Sequence, residues 1–459
     1  MSPTTPRNVL RSCIIVALTW GTVSGCGLAG GPAEVSPQEI PALEEGLARS
    51  PEDGKLLLRY AAALYTAGRC DSALVVAARG RAIRPDDALG VLVVGQCYER
   101  DGQYDNALRA YRSFIGQYET ARGIAAVRAR ELLATRTRAT TLARSALARE
   151  SELAQVPTDP EVVAVLPLTV SGDSSVLPLS RGLAQMMISD LALLRSFRMV
   201  ERLELSAILD ELQLAGNGRV DPSTAARVGH LVRAGRMVEG LADLRDRRAI
   251  RLEGGVILSD GQVTASDVFT GRFRGLLRLE KQLVVSIATR LGYQLSEAER
   301  QLILENGTQN LAAFLAYSRG LLAEEQGNYQ LAAQEFSEAV RRDPSFQEAR
   351  THHDANAAAP TVQQATAQQI TVVTSTVAAA PTVPQPVVAA VAGAVGDLAA
   401  TTAEQTTETV AEAGTAGTAS AVEHVTRQSS ATRASAPPPP DVTPPPTVTA
   451  TIRIVFRIP

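Results

Sequence analysis

Val162-Val163-Ala164-Val165-Leu166-Pro167-Leu168 is an unbroken apolar run. Its length suits a strand, and the lack of polar alternation suits one covered on both faces. Just upstream, Pro157-Thr158-Asp159-Pro160 ends any preceding helix, because proline has no N–H and disfavours a helical residue before it. Downstream, Leu179, Leu183, Met187, Leu191 and Leu194 recur at helical spacing. Residues 197–201 read as a short strand, and Leu205, Ile208, Leu209 and Leu212 mark a second helix. Gly216-Asn217-Gly218 turns the chain, and Asp221-Pro222 supplies the cap and first residue of a third helix ending near Ala234-Gly235. Met237-Val238-Glu239-Gly240 begins another strand. Residues 249–258 and 263–272 flank Asp260-Gly261, a hairpin signal, and a last helix over 277–291 stops at Gly292. The expectation for 157–292 is an α/β domain with a mixed sheet.

The ordered set VAVLPL (163–168), FRMVER (197–202), LDEL (209–212), VDPSTAARVG (220–229) and VEG (238–240) resembles the CsgG-like family. That group includes the curli secretion channel, the FlgO-like flagellar lipoproteins and the TolB amino-terminal domain. The resemblance spans about residues 162–291. It implies a non-catalytic role in assembling or secreting an envelope structure, with the α/β domain packing as a homo-oligomer or against an envelope complex. The family's curli channel crosses the outer membrane on β-hairpins, whose strands need about 10 residues of apolar alternation. The one long hairpin here carries Arg247, Arg248, Arg251 and Glu253 and is needed to complete the sheet. An accessory, FlgO-like role is therefore expected in place of channel activity.

Upstream, Gly68 and Gly102 stand 34 residues apart. Around them Ala61 matches Gly95, Leu64 matches Tyr98, Ala73 matches Ala107, Ala77 matches Tyr111 and Gly80 matches Phe114; Pro85 closes the first unit. Leu43, Gly46 and Pro51 form an upstream half-unit in the same register. A third copy surrounds Gly327, with Gly320, Ala323, Tyr329, Ala332, Phe336, Ala339 and Pro344 at the matching offsets. The pattern resembles the tetratricopeptide repeat, in which small residues let two antiparallel helices approach and glycine makes the turn. Such repeats either hold a partner peptide on a concave surface or scaffold the neighbouring domain. Between repeats and α/β domain, residues 120–156 read as a helical segment with Arg122, Arg128, Arg130, Arg136, Arg138, Arg144 and Arg149: a solvated face, or a basic face for anionic headgroups or an acidic partner.

The first 25 residues read as a signal peptide: Arg7 and Arg11, then the short apolar stretch 13–18, too short for the roughly 20 residues of a spanning helix. Val23-Ser24-Gly25-Cys26 resembles a lipobox, which makes Cys26 the lipidated residue; its several acyl chains would anchor the protein. Gly27 in place of an aspartate implies the outer membrane, facing the periplasm, with another envelope face as the alternative. Of the other cysteines, Cys13 leaves with the signal, and Cys70 and Cys97 either pair as a disulfide or serve as small buried apolar residues.

With 459 residues, a net charge of −3 and 4% aromatics, nothing favours nucleic acid as a partner. Lysine occurs only at Lys55 and Lys281. There is no phosphate-binding loop, no helix-borne His pair around a Glu and no Cys-x-x-Cys, so neither cofactor nor catalytic centre is expected. His352-His353-Asp354 has metal-binding residue types but lies at the edge of a polar tail. Asp190 and Glu239 read as isolated carboxylates in solvated or capping positions, and His230 as a core or surface histidine.

The expected organisation is signal peptide 1–25, linker 26–36, repeats 37–119, Arg-rich helix 120–156, α/β domain 157–292, connecting helix 293–307 and a third repeat over 308–345. A disordered Ala/Thr/Pro-rich tail over 346–449 and a strand-like end, 450–459, in which Ile452, Ile454, Phe456 and Ile458 alternate with other residues, complete the chain. The leading reading is an envelope lipoprotein acting through partner proteins or peptides; the alternative is a repeat scaffold or sensor unrelated to secretion.

Overall fold

The computed structural model describes residues 35–213, 221–264 and 267–364. The signal segment with Cys26, the Gly216–Gly218 turn, and the tail from 365 with its strand-like end lie outside the described residues. The chain begins with helices α1 (Ile40–Arg49), α2 (Gly54–Thr66), α3 (Cys70–Ile83), α4 (Ala88–Arg100) and α5 (Tyr104–Gln117). The long α6 (Ile124–Ala148) and the single turn α7 (Glu150–Leu153) follow. Asp53 and Asp87 cap α2 and α4 by accepting backbone N–H bonds. Gly68, Gly102 and Gly327 all take a positive φ, at 78°, 73° and 76°, which reverses the chain between paired helices.

Small and large residues exchange places across the helical pairs. A Cβ at Gly95 would fall within the Tyr111 ring, and one at Gly320 would come within 2.6 Å of Phe336. These are the same two offsets from the turn glycine in the second and third units. Each glycine makes room for a ring on the partner helix, so the pair stays close-packed.

The sheet is six-stranded and mixed, ordered β3-β1-β4-β5-β6 with β2 also beside β4. Its strands are β1 (Asp159–Val165), β2 (Thr169–Ser171), β3 (Arg198–Met199), β4 (Ala234–Asp243), β5 (Ile250–Leu258) and β6 (Asp267–Gly271). β1 runs parallel to β3 and β4, and the β4-β5-β6 meander is antiparallel. The apolar run is covered on both faces: Val163 and Val165 join one core cluster, Ala164 and Leu166 another. Helices α8 (Leu179–Ala192) and α11 (Leu276–Arg290) pack in the first cluster, and α9 (Arg202–Glu211) and α10 (Pro222–Val232) in the second.

Helix α10 stops at Val232, two residues before the expected Ala234-Gly235, with Arg233 closing it in the left-handed region at φ 59°. Gly235 belongs to β4, where a Cβ would lie 2.6 Å from the Asp159 carbonyl oxygen. The glycine that reads as a helix stop instead admits the neighbouring strand's backbone. β2 pairs with β4 through only three residues and has no periodicity to betray it.

The connecting helix α12 (Glu297–Glu305) starts at the Ser296/Glu299 capping box. It leads to α13 (Leu311–Glu325) and α14 (Tyr329–Arg342). Residues 347–364, expected to open the disordered tail, form helix α15 (Gln347–Gln364). Its small residues Ala355, Ala358, Ala359 and Val362 are buried in the same cluster as Ala126, Val127 and Ala134 of α6, so close approach of two helices orders a segment too poor in large side chains to read as helix. Helix α13 packs on α8, α14 on α13 and α15, and α15 on α6, while α6 also packs on α5 and α9. The α/β layer is thus inserted between two stretches of helical hairpins that meet again through α6 and α15. Among the described residues no helix is long and apolar enough to cross a membrane.

Candidate functional site

The densest polar site lies where α6, α8, α9, α13 and α15 converge. Helix α13 ends in Glu324 and Glu325, with side chains 1% and 10% exposed. Arg202, on the first turn of α9, places Nη2 2.6 Å from Glu324 Oε1 and Nη1 3.4 Å from Glu325 Oε2. Arg181 of α8 donates to Glu325 Oε2 at 3.2 Å, and the Ser206 hydroxyl donates to the other Glu325 oxygen. From α15, His352 Nδ1 lies 2.8 Å from Glu324 Oε2, and Asn356 Nδ2 donates to that oxygen at 2.7 Å. Arg136 of α6 donates to the last carbonyls of α13, Glu324 O at 3.0 Å and Glu325 O at 2.9 Å, a cation at the negative end of the helix dipole. A cleft of about 350 Å³ opens beside this junction, lined by Arg136, Ser206, Asp210 and Glu325 among others.

Burial alone would raise the Glu324 carboxyl, but His352, Arg202 and the Asn356 amide outweigh it and hold the pKa at about 2. Glu324 therefore stabilises the fold fully above its unfolded value near 4.5, and this contribution is lost as pH falls from there toward about 2. The difference corresponds to about 3 kcal/mol. Glu324→Gln is expected to lower stability at pH 7 by that order and to flatten the dependence of the melting midpoint on pH below 5; an unchanged slope would remove the carboxylate from the acid transition.

A second buried cluster joins α8 to α11. Lys281 Nζ lies 2.8 and 2.7 Å from the two Asp190 oxygens, and Asn306 Nδ2 donates to Asp190 Oδ1 at 2.8 Å. Asp190, Lys281 and the adjacent Glu280 are 0%, 2% and 0% exposed. Burial raises the Asp190 carboxyl despite Lys281, and burial together with the Asp190 charge raises Glu280 well above the usual carboxylate range. The expectation of a solvated Asp190 is corrected: it is buried and paired with a lysine 91 positions away. Glu239 is likewise buried, 7% exposed on β4. His230 lies on α10 and lines a cleft of about 670 Å³ with Glu150, Asp221, Arg227 and Asp260.

Arg128, Arg130 and Arg138 of α6 are largely buried in ion pairs, whereas Arg144 stays on the solvated face. Arg128 pairs with Asp354 at 2.6 Å, Arg130 with Glu99 at 2.5 Å, Arg144 with Glu211 at 3.0 Å, and Arg138 with both Asp105 and Glu204 at 2.7 and 3.0 Å. One helix thereby ties the first helical hairpins to α9 and α15. The structure brings His352 to Glu324 and His353 to Asp354, and among the described residues no three His, Cys, Asp or Glu side chains converge as metal ligands. Cys70 and Cys97 are both buried free thiols, with Cys97 Sγ 3.9 Å from the Cys70 carbonyl oxygen.

Chemically, the junction is a clamp. The Ser206 hydroxyl faces a carboxylate that two arginines already hold, which leaves little basicity to activate a nucleophile. Sequence reasoning missed this site because its members come from five helices; the arginine density of the α6 segment was its one visible trace.

Residues 162–245 match the CsgG family, described as the curli production assembly/transport component. The matched segment runs from β1 through β4 and includes α8, α9 and α10, with Arg181, Asp190, Arg202 and Ser206. The CsgG-matching segment is less than a fifth of the chain, and no curated protein matches the chain.

Proposed function

We propose that this protein is a non-catalytic, lipid-anchored envelope protein that assists assembly or secretion of an envelope structure by holding other proteins. The carrying observation is that the CsgG-matching segment supplies β1–β4 and α8–α10 of an α/β layer whose helices pack against the helical hairpins before and after it in the chain. A domain from an assembly/transport family, tied by ion pairs to surfaces suited to protein contacts, is an adaptor architecture. The helical hairpins, read as tetratricopeptide repeats, present partner-binding surfaces. The α/β layer meets a second copy or an envelope complex. The hairpin β5–β6 supports an accessory role: it closes the sheet over α11 and carries an Arg251–Glu253 ion pair at 2.9 Å.

In this reading Cys26 carries the anchor and the body faces the periplasm from the outer membrane. Cys26→Ser is expected to shift the protein almost wholly from the membrane to the soluble fraction, or to leave it with its signal segment uncleaved. Normal processing with undiminished membrane retention would contradict the anchor. A pull-down of the wild-type chain from detergent-solubilised membranes is expected to recover envelope assembly or secretion components.

A further inference from the structure

We propose that Cys70 and Cys97 are a redox-modifiable pair that closes into an intrachain disulfide joining successive helical hairpins. Cys70 is the first residue of α3 and Cys97 lies in α4; these helices pack against each other. Cys97 Sγ lies 3.9 Å from the carbonyl oxygen of Cys70, and both side chains are buried. A disulfide needs the two Cα atoms within about 7 Å. A sulfur already against the other cysteine's own backbone places the pair within reach by side-chain rotation. The positions are 27 apart in sequence, so the bond would cross from one hairpin to the next.

The chemistry is thiol–disulfide exchange with a low-molecular-weight or protein disulfide as oxidant. Cys70, 8% exposed against 0% for Cys97, is the entry thiol. Its thiolate attacks one sulfur of the oxidant, the other sulfur leaves as a thiol, and a mixed disulfide remains on Cys70. The Cys97 thiolate then attacks the Cys70 sulfur and expels the second thiol. Two protein S–H bonds become one S–S bond, and the oxidant gains the two electrons and two protons. Burial pushes the Cys97 thiol up, as does the neighbouring Cys70, so closure is fastest while the hairpins are folding or locally open.

The test equilibrates the full-length protein in oxidised or reduced glutathione, alkylates free thiols after denaturation and maps peptides by mass spectrometry. The oxidised sample is expected to contain a Cys70–Cys97 linked peptide, two hydrogens lighter than its separate parts. Its melting midpoint should rise by roughly 5 °C over the reduced sample. Cys70→Ser should show no such rise; if it fails to fold, Cys70→Ala serves as the control. Alkylation of both cysteines after oxidation, glutathione adducts without the linked peptide, or an equal rise in the control overturns the proposal.

Discussion

Lys281→Met is expected to destabilise the protein by roughly 3–5 kcal/mol, among the largest effects of any single substitution outside the sheet core. The lysine head reaches both Asp190 oxygens, and neither side chain is more than 3% exposed. Removing it leaves a buried carboxylate that keeps the Asn306 amide but has lost its cation. Replacing both partners together, Asp190→Leu with Lys281→Met, should recover much of the loss, because an apolar pair carries no desolvation penalty. Glu280→Gln should cost under about 1 kcal/mol, since glutamine keeps the shape and burial disfavours the charged form of Glu280. Chemical denaturation of the three variants separates these cases. Equal losses for the single and double variants would mean that packing, not charge pairing, holds α8 to α11.

Deleting residues 308–364 is expected to abolish a single cooperative transition or to lower its midpoint by at least roughly 10 °C. Phe314, Tyr317, Leu321 and Phe336 share one buried cluster with Leu183, Leu283 and Val238 of the α/β layer. A Cβ at Gly182 of α8 would meet the Ser318 side chain, so α8 is built to receive α13. Truncation would uncover that apolar face, strand Arg202 and Arg181 without their acidic partners, and leave Arg136 without the α13 carbonyls it caps. Calorimetry, with a hydrophobic dye for exposed surface, reads both effects. A truncated protein that melts as sharply and as high as the full chain would make α13–α15 an independent module.

Local chemistry carried much of the fold into the sequence. The turn glycines and their paired offsets anticipated hairpins whose φ values agree, and the seven-residue run at Val162 anticipated a strand covered on both faces. Asp260-Gly261 marked the turn between β5 and β6, and Ser296 the start of α12. Distance in sequence hid the rest. Asp190 reads as isolated because Lys281 lies 91 residues on, and Glu324 attracts no reading because Arg202 lies 122 residues back. Helix α15 was hidden because alanine gives a weak apolar signal; its burial depends on α6, more than 200 residues upstream. The candidate site is a property of packing, so the sequence showed its charges without showing their partners.

The most direct test of the adaptor reading places a photo-crosslinking residue at exposed positions in living cells, with Val268 on β6 and Val75 on α3 as the sites. Covalent partners are then identified from the membrane fraction. The account predicts adducts with envelope assembly or secretion components, or with a second copy from Val268, and their loss when Cys26→Ser is combined with either site. Adducts with cytoplasmic proteins alone, unchanged by Cys26→Ser, would contradict it.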